Sequence, residues 1–224
     1  MSAIGSISAP GASERPRGLR LTRAALAITA AMLLGACGDA DRPPSELAPE
    51  PWTPTLADEL RAMGTVDQEV RAGFGPESVA DTAFMGRMAR ADSAHSRRLR
   101  ELVEEHGWPR SSEVGPEAAE AAFLVVQHTP FEDWQRSMLP HVERAVRAGD
   151  LDGQDFALLY DRVQVKAGHP QRYGTQLRPE DGKLHLDSLE DTAVVDTLRA
   201  GLGMPPLDTY LEAVEEAYGM EVVR

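Results

Sequence analysis

The chain of 224 residues has a single cysteine, Cys37, and that scarcity excludes a good deal. One thiol forms no intramolecular disulfide and no cysteine-ligated zinc site, so stability has to come from an ordinary apolar core. Basic charge is also short: 23 Lys and Arg stand against 36 Asp and Glu, a formal net charge of −13 at pH 7. Nucleic acid requires clustered Lys and Arg to displace counterions from phosphates, and a polybasic grip on anionic lipid requires the same. No nucleic-acid partner is expected.

Motifs of familiar chemistry are missing as well. There is no Gly-x-Ser-x-Gly elbow, no Ser-x-x-Lys and no Gly-x-x-x-x-Gly-Lys loop, the signatures of acyl transfer and of nucleotide-phosphate binding. His128, His141, His169 and His185, even with Asp133 or Asp161, include no His-Glu-x-x-His and no pair spaced i, i+4. No metal and no cofactor are therefore expected. Glu132 and Asp133 do not suit a glycosidase pair, because neighbouring residues on a helix point apart.

What the chain does have at its start is a basic, then apolar, then small-residue order. Arg15, Arg17, Arg20 and Arg23 precede Ala24–Leu34, which carries no charge. Eleven positions are too few to span a bilayer core, which takes about 20 helical residues, and they suit a secretory signal. Leu34-Gly35-Ala36-Cys37 resembles the lipobox of bacterial lipoproteins. That resemblance implies cleavage before Cys37, a diacylglycerol on its thiol and an acylated amino terminus, the two-signal anchoring that holds a protein stably on a membrane. The expected location is the cell envelope, on the extracytoplasmic side of a bacterial membrane. Residues 1–37 hold four of the 23 basic and one of the 36 acidic residues, so the mature chain keeps 19 and 35, a net charge of −16.

Residues 38–55 read as a tether: Pro43, Pro44, Pro49, Pro51 and Pro54 alternate with acidic residues and cannot bury apolar area. The rest, 56–224, reads as one mainly α domain of six or seven helices with one short β-hairpin. Apolar spacings of three and four predict helices over Leu56–Val70, Ser78–His106, Pro116–His128, Phe131–Arg147, Asp152–Ala167, Ser188–Arg199 and Leu207–Tyr218. Pro140 is expected to kink or split the fourth. Tyr173–Leu177 and Lys183–Leu186 flank Arg178-Pro179-Glu180-Asp181-Gly182 as a hairpin.

Polar residues inside apolar stripes mark the candidate site. Gln135 shares a helical face with Phe131 and Leu139, and Asp161 shares one with Leu158 and Val165. Such groups must find partners, because burying them unpaired is costly. Gln127-His128, Gln135, Asp161-Arg162 and Gln171-Arg172-Tyr173-Gly174-Thr175-Gln176, together with Gly107-Trp108-Pro109 and Val114-Gly115, resemble a bacterial family of uncharacterised domains. Several of its members are secreted or lipid-anchored, and the match runs from about Leu99 through Tyr210. The resemblance implies domain boundaries and transfers no reaction.

Two readings of these residues compete. In one, His128, Gln135, Asp161, Arg162, Gln171, Tyr173 and Gln176 form a network that locks the loop to the helices, with Arg162 gripping a carboxylate. In the other they line a pocket for a small polar ligand, with His128 as a base or ligand and Asp161 orienting it. The corresponding functions are a binding or interaction domain, a hydrolase of envelope material using His128 and Asp161, and a purely structural envelope lipoprotein.

Overall fold

Proline and polar caps set where the helices begin. The structure, a computed structural model, describes residues 49–74, 78 and 81–224; Cys37, the apolar segment before it and the tether up to Ala48 lie outside them. Helix α1 (Pro54–Arg71) is capped by Thr53, whose hydroxyl accepts the Leu56 amide at 3.3 Å, and Pro54 takes the first turn, where its missing N–H costs nothing. Helix α1 and its cap thus take in Thr53, Pro54 and Thr55, the last residues of the stretch read as a tether. The Glu50 amide donates to Glu105 O at 3.1 Å, the Glu50 carbonyl lies 3.0 Å from His106 Nδ1, and Trp52 packs on the core.

Asp81 opens α2 (Thr82–His106) by accepting the amides of Ala83 and Phe84. Gly107, at φ 76°, stops it, and Trp108 packs against the core. An unforeseen turn, α3 (Ser111–Val114), precedes α4 (Pro116–His128), which has the expected bounds. Helix α5 (Glu132–Ala148) runs unbroken through Pro140, contrary to the expected split. Pro140 and Arg136, the residue whose carbonyl loses its donor, both lie on the exposed face, where that carbonyl meets solvent. Asp152 and Asp155 form a capping box at the start of α6 (Gly153–Lys166).

The hairpin differs in register from the expectation. Strand β1 (Leu177–Glu180) pairs antiparallel with β2 (Lys183–Leu186), Glu180 opposite Lys183, so only Asp181 and Gly182 turn. Both have positive φ, 51° and 76°, which suits the primed turns that match strand twist. Pro179 is tolerated because β1 is an edge strand. Residues 173–176 are not strand, for they are drawn to α6. Helix α7 (Val195–Gly201) is shorter than expected, since residues 188–194 form turns held by Asp191 on the Ala193 amide and by a bridge between Gln171 and Leu189. Beyond α8 (Leu207–Tyr218), Val222 and Val223 add β3 parallel to β2. Eight helices and a three-stranded sheet among the described residues make the fold mainly α.

Helix α4 is the hub of the bundle. Eight of its 13 residues are buried, among them Ala118, Ala119, Ala121 and Ala122, as suits a helix surrounded by others. These small side chains let α1 approach closely: a Cβ on Gly64 would stand 2.8 Å from Ala121 Cβ. Leu60, Leu99, Leu102, Phe123, Trp134, Val142 and Leu159 fill the same core. A second cluster, with Leu177, Leu184, Leu207, Leu211 and Val214, joins the sheet to α8. Between them Ala157, Tyr173 and Met204 form a small third cluster.

Gly64→Val should therefore overpack the α1–α4 crossing and lower stability by about 1–3 kcal/mol. Gly86→Ala is the comparison: its Cβ would meet only the flexible end of Arg90, and it should stabilise α2 by up to about 1 kcal/mol. Thermal denaturation of the two variants reads the opposite signs.

Candidate functional site

Asp161 gathers a loop. Its carboxylate, fully buried on α6, accepts the amides of Arg172 at 2.8 Å, Tyr173 at 3.0 Å and Thr175 at 3.0 Å, and the Thr175 hydroxyl at 3.0 Å. Burial raises its pKa above the ordinary aspartate value, while those four donors pull it down. Gln171 closes the loop on itself, with Nε2 donating to Gln176 O at 2.9 Å and Asp187 O at 2.8 Å and Oε1 accepting the Gln176 amide at 2.8 Å. Gln176 Nε2 donates to Leu158 O at 3.3 Å. From the other side the fully buried Arg199 donates to Tyr173 O at 2.6 Å and Pro205 O at 2.7 Å and lies 4.7 Å over the Tyr210 ring. Around Asp161, then, the polar cluster is a closed core.

His128 belongs to a different group. Its Nδ1 lies 2.8 Å from Asp67 Oδ1 on α1, a carboxylate that also takes Arg71 at 2.8 Å and Gln68 Nε2 at 2.9 Å. Arg71 reaches on to Asp92 of α2 at 2.7 Å. An acceptor-only carboxylate makes Nδ1 the donor, so in the neutral ring Nε2 carries the lone pair. Nε2 makes no hydrogen bond to any described residue, and the side chain keeps 16% of its surface exposed. Burial lowers the His128 pKa below the ordinary value; Asp67 opposes this, and the guanidiniums of Arg71 and Arg162 reinforce it. Asp92 is pushed up by burial against the pull of Arg71.

Arg162 and Lys166 stand beside this group on α6. Arg162 is buried, and burial first, then Arg71, bring its pKa down to about 10. Gln135 ties Lys166 to the end of α4: its Nε2 donates to the carbonyls of Val126 and Gln127 at 2.9 and 3.1 Å, while its Oε1 accepts Lys166 Nζ at 3.1 Å. The Lys166 pKa is lowered by burial of the ammonium and by Arg162, and the exposed Glu132 acts the other way.

The seven candidate residues thus separate. Asp161, Gln171, Tyr173 and Gln176 form the loop network, and His128, Gln135 and Arg162 border the second group. The expectation that Asp161 orients His128 is corrected, because its oxygens are occupied by loop amides and the partner of His128 is Asp67. Asp67, Arg71, Asp92, Lys166 and Arg199 were not singled out from the sequence. Asp67 carried the signal used for Asp161, since it follows Leu60 and Met63 along the buried stripe of α1. His141 on α5 lies beside Trp108, His169 follows α6, and His185 lies on β2. Among the described residues no three His, Cys, Asp or Glu side chains group to hold a metal ion.

A family model for a family of unknown function, DUF6624, matches residues 54–223. The chain belongs to DUF6624. No curated protein and no solved structure matches it. The DUF6624 match starts at the first residue of α1 and ends inside β3, so it takes in both polar groups.

Asp161→Asn should leave loop donors facing an amide N–H₂ and cost at least about 2 kcal/mol, a fall in Tm of about 4 °C or more. The histidine supplies a pH signature. A ring whose pKa is lowered by folding takes up protons more readily when unfolded, so its contribution is present above the ordinary histidine pKa of about 6.5 and is lost as pH falls through the lower folded value. His141, lowered by burial and Arg144, acts in the same direction. The pH slope of Tm below about pH 6.5 should accordingly become shallower, without vanishing, in His128→Gln.

Proposed function

We propose that this DUF6624 chain is a lipid-anchored, extracytoplasmic protein of the bacterial cell envelope whose domain binds a small polar molecule at His128. The anchoring half of the reading rests on the order of basic, apolar and small residues ending at Cys37. One observation carries the binding half: His128 is fixed by Asp67 through Nδ1, and Nε2 is left without a described partner on a ring that is partly exposed. Gln171, which only holds the loop, is satisfied at both ends of its amide, whereas this ring is satisfied on one side.

A second reading, a hydrolase of envelope material, draws on the same pair. A carboxylate holding Nδ1 leaves Nε2 as a general base, and Asp67 takes the orienting role once assigned to Asp161. The domain's partner is then a substrate instead of a retained ligand.

Radiolabelled fatty acid should enter the wild-type protein and be absent from Cys37→Ser, which should also lose membrane association; a wild-type protein without label sinks the anchor. For the site, a thermal-shift screen of small polar compounds should give hits whose stabilisation disappears in His128→Gln. Hits unaffected by that substitution would place binding elsewhere, and consumption of a hit by the wild-type protein alone would favour the hydrolase.

A further inference from the structure

The chemistry around His128 specifies what the ligand must carry, given the reading that a ligand binds there. Because Asp67 accepts the Nδ1 proton, Nε2 of the neutral ring is an acceptor, and what it meets has to be a donor. An anionic oxygen set directly on Nε2 would face a lone pair. A ligand hydroxyl satisfies it.

Across Gln135 from the end of α4 stands a cation with capacity to spare. Gln135 holds the carbonyls of Val126 and Gln127, the two residues before His128, and with its other end takes Lys166 Nζ at 3.1 Å. The ammonium is thereby set next to the end of α4. It has three protons, and Gln135 Oε1 is the acceptor it finds among the described residues. No carboxylate among the described residues lies in ion-pair range of Lys166, and Glu132, which acts on it, is exposed and screened by solvent. The two carboxylates nearer the ring are already engaged, Asp67 by Arg71, Gln68 and His128 and Asp92 by Arg71. Arg162 adds a second, buried positive charge acting on both His128 and Lys166.

The geometry points to a hydroxylated anion, a hydroxy acid, sugar acid or sugar phosphate, whose hydroxyl donates to His128 Nε2 while its anionic group pairs with Lys166. Such a ligand brings a negative charge to an ammonium whose charged form burial and Arg162 disfavour.

Isothermal titration of the full chain in detergent micelles, at neutral pH, separates the requirements. Gluconate and glycerol 3-phosphate carry both groups, acetate has the anion alone, and glycerol has the hydroxyls alone. At least one of the first pair should bind about tenfold or more tightly than acetate and glycerol, the loss expected when one charge-assisted hydrogen bond is missing. Lys166→Met, whose fold is checked by circular dichroism because it also removes the partner of the buried Gln135 Oε1, should weaken that binding about tenfold, and His128→Gln should weaken it too. Glycerol binding as tightly as gluconate, unchanged by Lys166→Met and lost in His128→Gln, overturns the anion requirement and leaves the His128 reading standing. Binding that ignores His128→Gln, or no heat from any of the four probes, overturns both.

Discussion

A carboxylate that water cannot reach organises the centre of this fold. Asp161 collects four donors from one loop, which binds Arg172–Thr175 to the middle of α6 and ends that stretch's chance of being strand. The sheet can start only at Leu177, and Arg199, drawn to the Tyr173 carbonyl, brings α7 and the start of α8 onto the same spot. The helical bundle and the sheet-bearing C-terminal part thus meet at a charged group whose burial is tolerated because every side of it is donated to.

The second polar group owes its shape to α4. A helix rich in alanine can be surrounded closely, and the Gly64–Ala121 approach brings α1 near enough for Asp67 to reach across to the last residue of α4. Gln135 finishes the same helix end by taking two carbonyls that have no amide partner within α4. One side chain thus satisfies a helix terminus and sets a cation beside it. Under the proposed function, fold maintenance and ligand chemistry are served by the same hydrogen bonds, which differs from the loop network, where the bonding is turned inward.

Much of the fold was legible in the sequence because helix ends are written locally. Gly107, Gly149, Asp152 and Pro116 act within a few residues of themselves, and the helices they bound fell where spacing placed them. Elements set by distant partners were not legible. Val222 and Val223 become a strand only because β2 lies alongside, and residues 188–194 forgo helix for contacts with Gln171. The candidate site shows the same division. That Gln135 and Asp161 needed partners followed from the apolar stripes around them, and the identity of those partners did not, since backbone groups and residues on other helices supplied them. Asp67 could have been found by the rule applied to Asp161; that it faces His128 could not.

The two polar groups differ in how much chain separates their halves, and this orders their assembly. Asp161 meets its loop across 11 to 14 residues, whereas Asp67 and His128 are 61 apart. Loop-closure entropy rises with span, so the loop can settle on α6 while the rest of the chain is still searching. The imidazole acquires its partner only after α1, α2 and α4 have come together. A chain emerging from its amino end presents Asp67 well before His128, and until the second arrives that carboxylate has only its neighbours in sequence, Gln68 and Arg71, to pair with.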